Sequence, residues 1–164
     1  AAGGVDGQKD GTWGFHTTRE KNPWWRVDLG RSMALERILI FNRCDHTRGR
    51  RNDRICVWIS DTPDGFARVY RHDGTPFGGQ PDGNPLSVPM KGHQARYVRL
   101  GLEETESFHL DEVEIYAVGD ESNVALGRPA TQSSSGEWSA PPKLHSSAAP
   151  PSILPRAIIR WLHE

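Results

Sequence analysis

Residues 22–30 read NPWWRVDLG, and the fold turns on the six at their centre, WWRVDL, residues 24–29. Successive side chains of an extended chain point to opposite faces, so Trp25, Val27 and Leu29 share one face while Trp24, Arg26 and Asp28 share the other. This is a strand with an apolar inner face and a polar outer one, except that the outer face also carries a tryptophan. With 6 Trp among 164 residues, setting two side by side calls for two roles. Trp25 is expected to anchor a core. Trp24 either supports a layer of loops or stacks on a ligand ring.

The same short alternation recurs outward from this strand, in LERILIFN (35–42), RICVWIS (54–60), RYVRLGL (96–102) and LDEVEIY (110–116). Turn signals stand between the runs: LGRS, DTPDG, HDGTPFGGQPDGNP and MKG. With Gly 17 and Pro 12 favouring turns and an apolar fraction of 35% still permitting an interior, the expectation is one all-β domain, an antiparallel sandwich or barrel. Residues 72–89 are Gly- and Pro-rich without a period and are expected as a long surface loop. After Tyr116 the texture changes: NVALGRPATQSS (123–134) leads into Ser-, Ala- and Pro-rich sequence of linker composition. The last residues, ILPRAIIRWLHE, allow a short helix from Pro155.

Lys+Arg 20 against Asp+Glu 21 leaves a formal charge of -1, which removes the long-range attraction that nucleic-acid or anionic-membrane binding needs. No apolar run approaches the roughly 18 residues of a membrane span, and AAGGVDG at the start is neither a leader nor an initiator, so an excised or mature segment of a soluble protein is expected. Two cysteines, Cys44 and Cys56, make neither a disulfide framework nor a Cys-based zinc site. Their spacing does not decide whether they pair.

Three constellations could carry chemistry. For catalysis, no nucleophile elbow, zinc-protease helix, phosphate loop or dinucleotide fingerprint is present, and acidic pairs such as Glu103 with Glu104 or Asp111 with Glu112 read as solvated charges; no enzyme is expected. In VDGQKDGTW (5–13) two Asp-Gly turns expose carbonyl oxygens beside the carboxylates of Asp6 and Asp10, which suits calcium, although two ordinary turns would look the same. In NRCDHTRGRR (42–51) arginines follow a strand end and Asp45 can orient Arg43 or Arg50, giving planar forks for hydroxyls or a carboxylate, or else a solvated basic loop.

VDGQKDG, His16-Thr17, NPWWRVDLG, the strand ending NRCD, the arginine after it and HLDEVEIY, in this order, resemble the F-type (fucose-binding) lectins of the discoidin-like, coagulation-factor C-type superfamily. The resemblance implies a galactose-binding-domain-like jelly-roll β-sandwich over residues 1–119, lacking its usual first strand. It also implies a sugar site in which Arg43, Asp45 and Arg50 reproduce the family's Arg-x-Asp-x-x-x-x-Arg pattern, with Arg48 and Arg51 outside it. His16 supplies the preceding histidine; the gap to Arg43 is slightly longer than usual, and Thr18 holds the strict position. The cysteine pair that many such lectins place in this loop is replaced by His46 and Thr47, so the apolar contact falls to Phe15, with Trp13 or Phe77 as alternatives. For calcium the resemblance implies Gln8, Asp10, Thr12, Thr17, Asp111 and Glu112 as ligands.

The implied function is a calcium-braced extracellular lectin for L-fucose or fucosylated glycans, acting without turnover and gaining avidity from tandem copies or an oligomer. Membrane contact is expected only through glycans. The rivals are a discoidin-type protein- or membrane-binding module with Phe77 as its spike, and a binding module appended to a glycan-active enzyme. Residues 120–164 are read as linker and tail, in which 123–134 resembles the opening strand of a further copy, or else folds back to complete the first sandwich.

Overall fold

The computed structural model of the protein describes residues 1–45 and 47–139. The helix expected from Pro155 and the loop position His46 lie outside the described residues. Strands run in the order β1 (Phe15–His16), β2 (Glu20–Lys21), β3 (Trp24–Phe41), β4 (Cys56–Ser60), β5 (Ala67–Arg71), β6 (Leu86–Pro89), β7 (Gln94–Gly101), β8 (Thr105–Glu106), β9 (His109–Leu110), β10 (Glu112–Ala117) and β11 (Ala130–Gln132). Short 3-10 helices cover Ala2–Val5 and Thr47–Asn52.

The 18-residue strand β3 belongs to two antiparallel layers. Its first half pairs with β7, Val27 opposite Val98, and β7 continues through β4 to β5. Its second half lies between β10 and β6, with Ile38 opposite Ile115 on one side and Val88 on the other. The stretch LGRS was expected as a turn between strands. The chain instead bends through it, shifting register between Asp28 and Met33 with Gly30 at φ 86, a conformation glycine adopts without a steric cost.

Trp25, Val27 and Leu29 from the first half and Ile38 and Ile40 from the second are all fully buried in one core that fills the space between the layers. Trp25 is stacked on Phe15 with centroids 5.5 Å apart and donates from Nε1 to the Ala1 carbonyl at 2.9 Å. A buried aromatic of this size contributes about 3–5 kcal/mol relative to alanine. Trp24 faces the other way, half-buried under the guanidinium groups of Arg99 and Arg26, whose carbons lie 4.9 and 5.5 Å from its ring. Its ring is a plate in a cation–π stack on the outer sheet face, while its backbone N–H donates to Ser133 Oγ and its carbonyl accepts the Ser133 N–H.

Segment 72–89 is less of a surface loop than its composition implies. Phe77, Gly78 and Gly79 are buried, the Gly78 carbonyl accepts the Asn42 N–H at 2.8 Å, and the segment ends as β6. Phe77 is only 9% exposed and meets His72 edge-on, so it is no membrane spike. The described part of the tail lies against the same sandwich. Ala125 is fully buried, the Val124 N–H donates to the Ile115 carbonyl, and β11 pairs with β3, Ala130 opposite Val27 and Gln132 opposite Trp25. Cys44 and Cys56 are separate thiols.

Candidate functional site

The segment after β3 is organised by one buried amide. Asn42 Oδ1 accepts the Arg43 N–H at 3.0 Å and Asn52 Nδ2 at 2.8 Å, while Asn42 Nδ2 donates to the carbonyls of Gly49 at 2.9 Å and Phe77 at 3.3 Å. The loop, the 3-10 helix after it and the long segment beneath are thereby tied to one point. Asn52, also fully buried, donates to the His109 carbonyl at 2.5 Å and so reaches β9.

Arg43 emerges from this anchor with a side chain only 4% exposed, in a bidentate pair with Asp45. Its guanidinium carbon lies 4.7 Å from the Trp13 ring centroid. The carboxylate fixes the plane of the fork and the indole supports its face, so the guanidinium is held in one orientation. Around it opens a cleft of about 400 Å³ lined by Trp13, His16, Arg43, Asp45, Arg51, Ser107 and Trp138.

His16, on β1, is within 2.6 Å of the Thr17 carbonyl through Nδ1. A carbonyl only accepts, so Nδ1 carries the proton and a neutral ring keeps its lone pair on Nε2. Its ring lies 5.2 Å from that of His109. Burial, helped by His16 and the nearby Arg43 and Arg51, pushes His109 down to about 3, so this ring stays neutral beneath the cleft.

The structure brings His16, Arg43 and Asp45 together as the sequence pattern implied, and parts company with it at two positions. Arg50 is 73% exposed and faces Asp53 outside the cleft, whereas Arg51 lines it, 3.7 Å from Glu106. In a 3-10 helix neighbouring side chains diverge by about a third of a turn, so a motif register cannot say which of two adjacent arginines turns inward. Phe15 is fully buried, stacked on Trp25 and edge-on to Phe108. Alternation along β1 carried that signal, since a strand that turns His16 outward turns Phe15 in. Trp13 and Trp138 supply the aromatic faces instead. Trp138 was not anticipated, because nothing in a local pattern places residue 138 beside residue 13.

The residues expected around a metal are divided. Glu112, fully buried, accepts the N–H groups of Asp6 at 3.2 Å and Gly7 at 2.9 Å. Asp6 is also buried; its Oδ1 accepts the Gln8 N–H at 2.9 Å, and its Oδ2 has no hydrogen-bond partner among the described residues. Burial raises Glu112 to about 8, and the Asp6 carboxylate adds to that. Gly14 lies against the same loop: a methyl group there would sit 2.0 Å from the Gly3 carbonyl oxygen and 2.3 Å from that of Asp111. Two neighbouring buried carboxylates are the type of donor that a hard, oxygen-preferring cation takes. Asp10 and Thr12 form an exposed turn of their own, Asp10 Oδ1 accepting both the Thr12 N–H and its hydroxyl. Thr17 is engaged elsewhere, between the Thr18 carbonyl and the Phe108 N–H. Asp111 Oδ2 braces the loop by accepting the Gly11 N–H at 2.7 Å. Among the described residues no three His, Cys, Asp or Glu side chains cluster as metal ligands, so any cation here would depend on backbone oxygens. Asp6, put forward by the first Asp-Gly turn but outside the ligand set the resemblance implied, is the buried carboxylate that lies beside Glu112.

Two fixed or part-buried guanidinium groups, an imidazole, a carboxylate and two indoles around a shallow cleft suit a ligand with both hydroxyls and apolar faces. Residues 3–100 match the family model described as the NedA-like, galactose-binding domain. Fucolectin-6 of Anguilla japonica is 30% identical over 135 residues, which are 72% of this chain and 63% of that relative, so the chain spans less than two thirds of its length. Among solved structures, the Streptococcus pneumoniae fucose binding module SpX-3 superposes with a TM-score of 0.58 at 29% identity, covering 70% of this chain and 82% of the other. The lectin domain of lectinolysin, solved with the Lewis B antigen, does so with a TM-score of 0.58 at 29% identity over 71% and 84%. Among the described residues no helix is long and apolar enough to cross a membrane.

Proposed function

The chain belongs to the NedA-like, galactose-binding domain family, as an F-type lectin within the discoidin-like superfamily, and from that premise we propose that it recognises L-fucose or fucosylated glycans in the Arg43 cleft. The observation that carries this reading is the guanidinium of Arg43, clamped by Asp45 and backed by Trp13 in a cleft shared with His16 and Arg51. The fucose-binding names of the relatives and the Lewis B antigen in one neighbour support the choice of sugar.

Arg43 and Arg51 donate charge-assisted bonds to ring hydroxyls, His16 accepts through Nε2, and an indole meets the sugar's less polar face. Recognition proceeds without turnover, a reading supported by the lectin and binding-module names of the relatives. A small exposed ligand gives modest affinity, so tandem copies or an oligomer supply avidity in an extracellular setting where glycans are displayed.

Calcium is part of the proposal. Asp6 and Glu112, with carbonyls of the residue 3–14 loop and of Asp111, would hold it, and it would neutralise the Glu112 carboxylate that burial otherwise penalises. The loop so braced carries Trp13 and leads into β1 with His16. A glycan array with and without a chelator tests the whole reading. Binding confined to fucose-terminated glycans and lost on chelation is expected. Uniform signal across sugars, or binding to lipid vesicles lacking glycans, would favour the discoidin-type alternative.

A further inference from the structure

The geometry points to exchange of residues 123–139 between two copies of this chain, β11 of each closing the sandwich of the other. Completion of one copy's cleft by the other copy's Trp138 rests on the lectin reading above; the exchange itself does not.

The segment docks through contacts of its own. The Val124 N–H donates to the Ile115 carbonyl at 2.9 Å and the Gly127 N–H to that of Val5 at 2.7 Å, with Ala125 fully buried between them. Beyond, β11 lies along β3, and the Ser133 N–H donates to the Trp24 carbonyl at 2.9 Å. At the end, the Trp138 carbonyl accepts Trp13 Nε1–H at 2.7 Å and the Ser139 hydroxyl donates to the His16 carbonyl at 2.5 Å. Every one of these bonds runs to a residue before 118, so a segment arriving from another copy makes the same set.

The link that decides whose segment docks is short and lies outside the packing. Residues 118–122 are all exposed, and they reverse the chain tightly enough to bring Asn123 Oδ1 back to the Ile115 N–H at 3.0 Å, with Gly119 at φ 76. Short reversing links favour exchange, because opening one loses only the few bonds of the turn. Here those are the Asp120 N–H to the Ala117 carbonyl at 3.1 Å and the Ser122 bonds to Asp120 Oδ1. Opened out, five residues span at most about 17 Å, enough to deliver Asn123 to an abutting copy. Val118 and Leu126 flank the link at 59% and 53% exposed, two of the three large hydrophobic side chains so exposed among the described residues. In a two-fold pair the links run past each other, so these apolar groups gain the cover they lack in the single chain. Trp138 lines the same cleft as Arg43. Each cleft of an exchanged pair is therefore built from both copies, and the pair carries two of them.

The test uses two full chains, each with Cys44→Ser and Cys56→Ala, one carrying Arg26→Cys and the other Thr131→Cys. These positions are directly opposite on β3 and β11, within reach of a disulfide. Neither chain holds both, so a 26–131 bridge forms only where β11 of one copy lies on β3 of the other. The mixture is refolded from urea at about 1 mM, the effective concentration of a short tether, and then oxidised. A heterodimer bridged between 26 and 131 should outnumber the two homodimers together and fade on about hundredfold dilution before refolding. A chain carrying both cysteines should bridge internally at the lower concentration, which keeps a folding failure from passing as an absence of exchange. Heterodimer no more abundant than the homodimers together overturns the exchange. Calorimetry on the bridged heterodimer should give two equal sites for a fucosylated oligosaccharide; a bridged pair that binds no sugar overturns the lectin reading while the exchange stands.

Discussion

Replacing Asn42 by alanine should cost more stability than its position at a strand end suggests. The residue is fully buried and uses its amide in full: two donations to carbonyls and two acceptances, one from the Arg43 N–H and one from Asn52. Truncation removes a partner from four buried polar groups, of which Asn52 Nδ2 keeps its bond to the His109 carbonyl. At about 1 kcal/mol for each bond, with some relief from entering water, the loss is roughly 2–4 kcal/mol. A domain of this size has about 5–15 kcal/mol in total, so the variant should remain folded at room temperature with a much reduced margin. Urea denaturation is the assay, and a lower midpoint at unchanged slope is the expected form. Sugar affinity should fall as well, because the Arg43 backbone is held by the lost carbonyl. A stability change below about 1 kcal/mol with intact binding would refute the view that one amide organises the loop.

The pH response tests the cation. With Glu112 raised to about 8 by burial, the folded state holds its proton more tightly than the unfolded chain does. Its contribution is complete below the ordinary carboxylate range and is lost as pH rises toward 8. In chelator, melts at pH 5 and pH 8 should therefore differ, by up to roughly 4 kcal/mol, and added calcium should flatten the difference. Glu112→Gln should flatten it without calcium, and the same slope with and without calcium would remove the metal from the account. Gly14→Ala should destabilise by about 3 kcal/mol, since its methyl would meet two backbone carbonyls that cannot swing aside; a normal melting temperature would mean the loop packs more loosely than described.

Much of this architecture was legible where a physical rule is local. Period-two alternation separated Trp25 from Trp24 correctly, and the same rule applied to Phe15 and His16 would have kept Phe15 out of the sugar site. The Arg-x-Asp spacing gave the Arg43–Asp45 pair because two residues apart on one loop is a short reach. What lay beyond the sequence depends on phase or on distance along the chain. Arg50 and Arg51 differ only in the rotation of a 3-10 turn whose start no pattern fixes. The bend at Gly30 looks like any turn signal until both halves of β3 are seen to have partners. Trp138, Gln132 and Ser139 reach the site through contacts more than 100 residues away in sequence. The two Asp-Gly turns pose a similar problem: they look alike in sequence, and only packing against Glu112 distinguishes the buried Asp6 from the exposed Asp10.

The central claim is that sugar hydroxyls are held by the guanidinium groups inside the cleft. Calorimetric titration of a fucosylated oligosaccharide into Arg51→Ala, Arg50→Ala and Arg43→Lys variants, each checked for folding by circular dichroism, tests it most directly. Charge-assisted bonds to a ligand are worth roughly 1.5–3 kcal/mol, so Arg51→Ala should lose about tenfold to a hundredfold in affinity. Arg43→Lys should lose at least as much because lysine cannot present the fork, and Arg50→Ala should stay within about twofold of the unmodified chain. Loss of binding in Arg50→Ala with little change in Arg51→Ala would contradict the placement of these side chains, and unchanged affinity in all three would contradict sugar recognition at this cleft.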